Sequence, residues 1–336
     1  MPHTQSNSKR KSILPLHIDT TSFTAPSTQN NYPWRRIISS KRQLPWIILM
    51  SFFLVSIFLN FTHYRSQTIP NLVFSNDPLP APPLPDLNHA IIVAGHAIYS
   101  GPPDFNSVTQ DDYWILESFQ KNGQVPTFIQ HIDRGLVAAE KDPESLLIFT
   151  GGQTRPLAGP RSEAQSYWEI AEILSTKNIN FTQQNLMDRV VTEEFARDSQ
   201  ENLLFSLCRF SEITGQYPSR VTVIGFEFKR KRFLDIHRAS VRYPIERFEY
   251  IGIDPPYNPG GVSEWITGEE LNSYGPFQND IYGCRDGLRQ KKLDRNPFRR
   301  RNAYRYSCPA LVDLLNHCPT NNKIFDGPLP WDGGSI

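Results

Sequence analysis

The centre of the chain alternates between continuous apolar runs and segments in which apolar residues recur at a helical period. Apolar runs bounded by glycine or proline are typical of buried parallel strands, and a period of about 3.6 residues is typical of helices. The predicted strands cover residues 89–98, 145–152, 188–194, 220–228 and 248–254. The predicted helices cover residues 109–120, 126–141, 162–175, 198–215 and 229–242. This alternation predicts an α/β fold with a Rossmann-like, doubly wound, mostly parallel sheet.

Residues 44–61 form an apolar run that contains no charge. As a helix, a run of this length spans roughly 27 Å, close to the hydrocarbon thickness of an early-secretory membrane. We therefore expect one transmembrane helix over residues 44–62 in front of the sheet. Cations lie mainly before the run: Arg35, Arg36, Lys41 and Arg42 precede it, and Arg65 follows closely. The positive-inside rule then places the N-terminus in the cytosol and the larger C-terminal part in a lumen.

The flanking segments complete a division into five parts. Residues 1–43 lack a hydrophobic period and predict a disordered cytosolic tail, and residues 63–88 predict an extended proline-rich spacer. Residues 89–256 are expected to form the α/β domain. The pattern fades beyond residue 256, so residues 257–336 are interpreted as an irregular C-terminal appendage without an assigned role.

Charge and a sequon indicate the partners and the compartment. The chain has 35 Lys and Arg against 34 Asp and Glu, and a formal net charge of +1 gives no case for nucleic-acid binding. The expected partners are a membrane and a small anionic ligand. Asn180 begins an Asn-Phe-Thr glycosylation sequon, which suits a lumenal domain. We therefore expect the protein in the membrane of the Golgi or the endoplasmic reticulum.

The cysteines predict one disulfide. Cys208 lies in a predicted apolar helix and is interpreted as a buried free thiol in preference to a bridge partner. Cys284, Cys308 and Cys318 fall together near the C-terminus, so one bridge is expected among them. Their spacing does not match a zinc site, and no metal site is predicted. No motif identifies a cofactor, which stays unknown.

The loops after the strands carry the candidate chemistry, because open parallel sheets bind ligands beyond the carboxyl ends of their strands. Gly151 and Gly152 permit close backbone approach to a ligand, and the helix that starts near Ser162 is expected to offer free N–H groups to an anion. The alternative is a tight turn followed by a helix cap. A phosphate-binding P-loop is excluded, because the sequence lacks its GxxxxGK[ST] pattern.

Carboxylates supply the candidate catalytic groups. Glu163 and Asp198 are predicted to act as a general base or as an acceptor for a substrate hydroxyl. Asn202 is expected to contact and orient the ligand. The alternative for Asp198 is a structural one, in which its side chain only caps the helix that follows.

Four consecutive cations follow the strand at 220–228: Lys229, Arg230, Lys231 and Arg232. A helix start carries partial positive charge, so an exposed cation there costs about 0.3–1 kcal/mol. We interpret Lys229 and Arg232 as the residues that hold a negative ligand. Two alternatives stay open, namely that Arg230 points inward, or that the whole cluster is a solvated face.

The order of these segments resembles the DUF218 family, also described as ElyC/SanA/YdcF-like, and in particular a fungal, membrane-anchored branch of it. The resemblance covers about residues 88–255 and rests on VAGHAIYSG, TGGQT, SEA, EEFARDSQEN and FKRKR. It implies a Rossmann-like sheet and, by analogy with bacterial members, work on cell-envelope or lipid-carrier metabolites. Thr150 stands where the family has a serine before the paired glycines. Lys229 stands where the family has the histidine of H-x-x-R, if Arg232 is the arginine of that motif. His96, after the first strand, is the candidate to take over the role of that histidine.

Taken together, the sequence predicts a single-pass type II membrane glycoprotein with a lumenal enzyme domain, either a hydrolase or a transferase. Its expected substrate is a phosphorylated, nucleotide-like or lipid-linked sugar metabolite. The alternative is a non-catalytic anion-binding or scaffold module. Alanine at Asp198 separates the two, because an enzyme would lose turnover and keep its ligand affinity, whereas a binder has no turnover to lose.

Overall fold

The computed structural model describes residues 44–66, 81–121, 123–177, 186–256 and 261–333. The chain divides into two units, Met1–Leu79 and Pro80–Ile336. The first unit contains helix α1, Leu44–Ser66, and the side chains described in it, over residues 45–60, are exposed. Within the described residues, no helix combines the length and the apolarity that a membrane crossing requires. The predicted tail, much of the predicted spacer and Asn180 lie outside the described residues.

The second unit contains the sheet and its helices. The strands are β1 His89–Ala94, β2 Ile98–Tyr99, β3 Trp114–Ile115, β4 Ser145–Thr150, β5 Val190–Glu193, β6 Arg220–Gly225 and β7 Phe248–Gly252. The described α-helices are α2 Phe105–Val108, α3 Val125–Lys141, α4 Glu163–Lys177, α5 Ser199–Thr214, α6 Arg238–Ser240, α7 Gly261–Glu269, α8 Gly275–Asn279, α9 Asp286–Asp294, α10 Tyr304–Ser307 and α11 Val312–Asn316.

Five strands form one parallel sheet in the order β5-β4-β1-β6-β7. The chain therefore winds outward from β1 to β5 on one side, and then crosses over to β6 and β7 on the other. This is the doubly wound order that the alternating pattern predicts, and it leaves a crevice where the winding reverses, between β1 and β6. The short strands β2 and β3 form a separate antiparallel pair.

Both faces of the sheet are covered, which explains the continuous apolar runs of its central strands. All six residues of β1 and all six of β4 are buried. Ile91 packs in a cluster with residues of α3 and α4, whereas its neighbour Ile92 packs in a second cluster with residues of α5. Trp331, far along the chain, belongs to the second cluster and donates its indole N–H to the carbonyl of Val241 at 3.0 Å.

Residues 109–120 do not form the predicted helix. Two 3₁₀ turns, Asp111–Tyr113 and Ser118–Gln120, flank β3, whose residues pair with β2. The indole N–H of Trp114 donates to the carbonyl of Val108 at 2.9 Å. Aromatic and β-branched residues fit a pleated pair, and here this tertiary pairing overrides the apparent helical period.

The basic segment and the C-terminal segment also differ from expectation. The basic segment begins with a 3₁₀ turn, Glu227–Lys229, and continues as a π-helix, Arg232–His237, before α6. The segment interpreted as irregular contains α7 to α11 and a disulfide between Cys284 and Cys318. Its α-helices are too short for a hydrophobic period to show in the sequence. Cys208 is a buried free thiol, as predicted.

Candidate functional site

A cavity of about 570 Å³ opens beyond the carboxyl ends of β1 and β6, at the point where the winding of the sheet reverses. Wall residues from the α/β domain include Gly95 and His96 after β1, Phe226, Phe228 and Lys229 after β6, and Asp198, Ser199 and Asn202 at the start of α5. The cavity thus occupies the position at which doubly wound sheets bind their ligands.

The predicted site residues divide into two groups. Five line the cavity: Glu163, Asp198, Asn202, Lys229 and Arg232. Three are not among the lining residues: Gly151, Gly152 and Ser162. The cavity therefore gathers the charged and amide side chains that the sequence singled out, but not the glycine turn.

The N–H groups at the start of α4, which the sequence suggested for an anion, already have acceptors within the protein. The N–H of Glu163 donates to the carbonyl of Gly152 at 3.1 Å, and the N–H of Gln165 donates to Ser162 Oγ at 2.9 Å. Gly151 has a φ of 148°, and a Cβ there would lie 2.7 Å from the Glu163 carboxylate. The glycines thus serve a tight turn that closes on the helix cap, which is the alternative considered for this loop.

Glu163 holds a fixed place in the cavity wall. Its side chain is buried and accepts a short hydrogen bond of 2.5 Å from Thr154 Oγ1. Burial, together with the nearby Glu163 carboxylate, raises the pKa of Tyr167 well above its usual value. A carboxylate held in this way can accept a hydrogen bond from a ligand without losing side-chain freedom on binding.

Asp198 is engaged in a helix cap and an ion pair. Its Oδ1 accepts the N–H of Glu201 at 2.8 Å, and its Oδ2 lies 3.2 Å from Lys292 Nζ. Burial raises the pKa of Asp198, and Lys292 opposes this effect. Lys292 and Arg197 also pair with Glu201, and against the effect of burial they lower the pKa of that carboxyl. This geometry favours the structural interpretation of Asp198.

Lys229 is a cavity-lining cation whose ammonium lies against aromatic rings and a histidine. Its Nζ lies 4.9 Å from the ring centroid of Phe226, 5.7 Å from that of Phe228 and 3.4 Å from Nδ1 of His96. Burial, reinforced by the charge of Arg232, lowers the pKa of Lys229 to about 7. Aromatic faces and an imidazole, rather than a carboxylate, therefore contact this ammonium.

His96 is the imidazole that contacts Lys229. Its ring stacks on Phe226 with centroids 4.7 Å apart, and its Nε2 is buried without a hydrogen-bond partner among the described residues. Burial, and after it the charge of Lys229, holds the pKa of His96 well below its usual value. A neutral imidazole in this place can accept a hydrogen bond from the ammonium.

Arg232 is buried beside an acidic partner from α7. Its Nε lies 3.2 Å from Oε1 of Glu269, without the alignment of a hydrogen bond. The guanidinium carbon lies 5.9 Å from the ring centroid of Phe277. The other two cations of the cluster are not cavity-lining, since Arg230 pairs with Glu227 and Lys231 is exposed. Positions three apart share a face, which explains why the first and fourth cations line the same cavity.

Helices of the C-terminal segment form a further part of the wall. They contribute Glu264, Trp265 and Glu269 from α7 or its end, and Lys291 from α9 with Arg295 just beyond it. The indole N–H of Trp265 donates to the carbonyl of Phe119 at 3.2 Å, which ties α7 to the loop before α3. The hydrophobic pattern of the sequence did not predict this part of the wall, and the only local signal for it is a tryptophan in a polar stretch.

The charged lining favours an anionic ligand. It contains six cationic side chains and four acidic ones: Arg155, Arg197, Lys229, Arg232, Lys291 and Arg295, against Glu163, Asp198, Glu264 and Glu269. In the described part of the chain, no three His, Cys, Asp or Glu residues cluster as metal ligands would.

Comparison with known proteins finds a relative in yeast. An uncharacterized protein of Saccharomyces cerevisiae, YOR238W, is 32% identical to the chain over 284 aligned positions, which cover 70% of this chain and 90% of the yeast protein. No family model and no solved structure matches the chain. The resemblance to the DUF218 family therefore stays a prediction.

Proposed function

The chain belongs to the family of this yeast protein, and we propose that its α/β domain is an enzyme that takes a small anionic metabolite into the cavity beyond β1 and β6. The observation that carries the proposal is the placement of Lys229, whose ammonium lies in the cavity near Arg232 against aromatic rings and His96. Burying an ammonium away from water is costly, and a bound anion offsets that cost.

The remaining lining suits an organic ligand that carries the charge. The cavity wall includes six large aromatic side chains: Phe119, Phe226, Phe228, Phe233, Trp265 and Phe277. Small-molecule sites typically have volumes of about 300–1,000 Å³ and mostly apolar walls with a few convergent polar groups. A phosphorylated, nucleotide-like or lipid-linked sugar metabolite meets both requirements, with its phosphate at the two cations.

Membrane attachment through α1 is a further part of the proposal. The apolar side chains of this helix are exposed over its described part, and the sequence has no charge between residues 44 and 61. The excess of cations before the helix supports a cytosolic N-terminus and a lumenal domain in the Golgi or the endoplasmic reticulum. The resemblance to the DUF218 family adds, by analogy, substrates of glycan or lipid-carrier metabolism.

A non-catalytic anion-binding module is the second candidate function. It is favoured by the geometry of Asp198, because a carboxylate that caps a helix and pairs with Lys292 is poorly placed to act as a base. Binding alone would then be the role of the cavity. Both candidates share the anion at Lys229 and differ in whether turnover follows.

Binding of inorganic sulfate to the full-length chain, measured by calorimetry, tests the shared premise. Sulfate keeps its charge between pH 6 and 9, so any pH dependence reports on the protein. Replacing Lys229 with methionine removes a charge-assisted contact and should weaken binding by about 10–100-fold. The matched control is Lys231→Met, which removes a cation that is exposed and outside the cavity.

The wild-type affinity should also depend on pH. Protonated Lys229 binds the anion, and its pKa in the free protein is about 7. Sulfate affinity should therefore be highest below that value and fall by up to about tenfold between pH 6.5 and 8. The charges that face Lys229 are Arg232, Arg295, Glu163 and Glu269. Equal weakening by the two methionine variants, or a wild-type protein that binds no sulfate, would refute the proposal.

A further inference from the structure

A serine and a histidine meet at the cavity wall where the sequence suggested only a helix cap. Ser199, the first residue of α5, lines the cavity, and its Oγ lies 2.7 Å from Nε2 of His237. This is hydrogen-bonding distance, and it couples a hydroxyl that is open to the cavity to an imidazole that is fully buried behind it. A nucleophile in contact with a base has this arrangement.

The surroundings of His237 hold its ring in place. Phe233 and Phe277 pack against it edge to face, with centroids 5.1 Å and 4.7 Å away. Its Nδ1 is buried and has no hydrogen-bond partner among the described residues. Burial, and after it the charges of Arg232 and Lys292, holds the pKa of His237 well below its usual value. The imidazole is therefore neutral at physiological pH, which is the form that can accept a proton.

The charge of the site indicates the kind of reacting group. Arg232 is close enough to His237 to influence its titration, and both contact the ring of Phe277. The buried guanidinium thus lies at the same end of the cavity as the hydroxyl. A cation beside the nucleophile suits a reacting centre that is itself negative, as a phosphoryl group is and a neutral carboxylic ester is not.

We propose that Ser199 is the nucleophile, and His237 its general base, in the hydrolysis of a phosphate monoester, with Lys229 as the group that protonates the leaving oxygen. This inference rests on the proposed function, because it assigns a reaction to the same anion-binding cavity. It also assigns the catalytic role to Ser199 instead of to its neighbour Asp198. Both residues belong to the sequence segment EEFARDSQEN, in which only the carboxylates and Asn202 were singled out.

The two half-reactions balance. In the first, Ser199 Oγ attacks phosphorus, the Oγ–P bond forms, and the bond from phosphorus to the ester oxygen breaks. His237 takes the hydroxyl proton, and protonated Lys229 gives a proton to the departing alcohol. In the second, water attacks the phosphoserine and gives a proton to neutral Lys229 while His237 returns its proton to Oγ. One ester and one water yield one alcohol and one inorganic phosphate.

The test uses the full-length chain with 4-nitrophenyl phosphate as the probe. Acid quenching during turnover, followed by peptide mass spectrometry, should find phosphate on Ser199 of the wild-type protein. Ser199→Ala should reduce turnover by about 10³-fold or more, and His237→Asn by about 10²–10⁴-fold. Ser206→Ala is the matched control, because this serine lies in the same helix and its buried Oγ has no hydrogen-bond partner in the described structure.

Sulfate affinity separates this inference from the proposed function. Ser199→Ala keeps Lys229 and Arg232, so its sulfate affinity should stay unchanged while turnover is lost. If sulfate binds but nitrophenolate is not released, or phosphate is found on another residue, the serine nucleophile is refuted and the anion site stands. If the wild-type protein binds no sulfate, the proposed function fails first. Phosphoserine mapping in the wild-type protein decides the question even where a variant does not fold.

Discussion

Replacing Glu193 with glutamine probes a buried charge behind the cavity wall. Glu193 ends β5 and is fully buried, and it accepts hydrogen bonds from four donors: the hydroxyls of Thr150 and Tyr304 and the N–H groups of Phe195 and Ala196. Burial nevertheless raises its pKa to about 7, against the effect of these donors. Ionising this carboxyl in the folded protein therefore costs stability.

The magnitude follows from the difference in pKa between the two states. An unfolded glutamate titrates near 4.5, so the folded protein binds the extra proton between pH 4.5 and about 7. Stability from this group is complete below pH 4.5 and is lost as the pH rises through 7. At 1.36 kcal/mol per pKa unit the whole loss is about 3 kcal/mol, of which about 2 kcal/mol falls between pH 5 and 7.

Urea unfolding of the full-length chain at pH 5 and pH 7 measures this loss. The wild-type free energy of unfolding should fall by about 2 kcal/mol more between these pH values than that of Glu193→Gln, because glutamine does not titrate. Other titrating groups contribute equally to both proteins. Glu194→Gln, a change at a partly exposed neighbour, should keep the wild-type dependence. Coinciding pH dependences of the wild type and Glu193→Gln would refute the reasoning.

The remaining predictions concern the disulfide and the compartment. Cys284→Ser opens the bridge to Cys318, which spans 34 residues, and should lower the free energy of unfolding by up to about 4 kcal/mol in denaturant titrations; an unchanged midpoint would contradict this. If the domain is lumenal, endoglycosidase should shift the mobility of the wild-type protein from cells but not that of Asn180→Gln, and a wild-type protein that carries no glycan at this residue would count against it.

Much of the fold follows from local pattern. The central strands β1, β4 and β6 were placed from their apolar runs, because strands covered on both faces are apolar throughout. The doubly wound class followed from the alternation with helices, and the sheet order then fixes the ends at which side chains converge. Lys229 and Arg232 were predicted as site residues because they follow the end of a buried strand, where a cation is expected to have an anionic partner.

The rest depended on contacts that no local pattern encodes. The sequence suggested that the turn at Gly151 and Gly152 is open to a ligand. In the structure, the carbonyls of these two glycines accept hydrogen bonds from the first N–H groups of α4. Ser199 and His237 are 38 residues apart and meet through tertiary packing. The wall formed by α7 and α9 comes from short helices whose position depends on their docking against the sheet domain.

That wall has a consequence for how the protein is made. A ribosome releases the chain from its N-terminal end, so all five strands of the sheet emerge before residue 261, and the wall residues from Glu264 to Arg295 emerge after them. All the strands are thus synthesised before the wall of the cavity is complete. A premature stop codon directly after residue 256 would leave all five strands in the chain, but it would remove the cavity-wall residues of α7 to α9 and also core residues such as Trp331 that cover one face of the sheet.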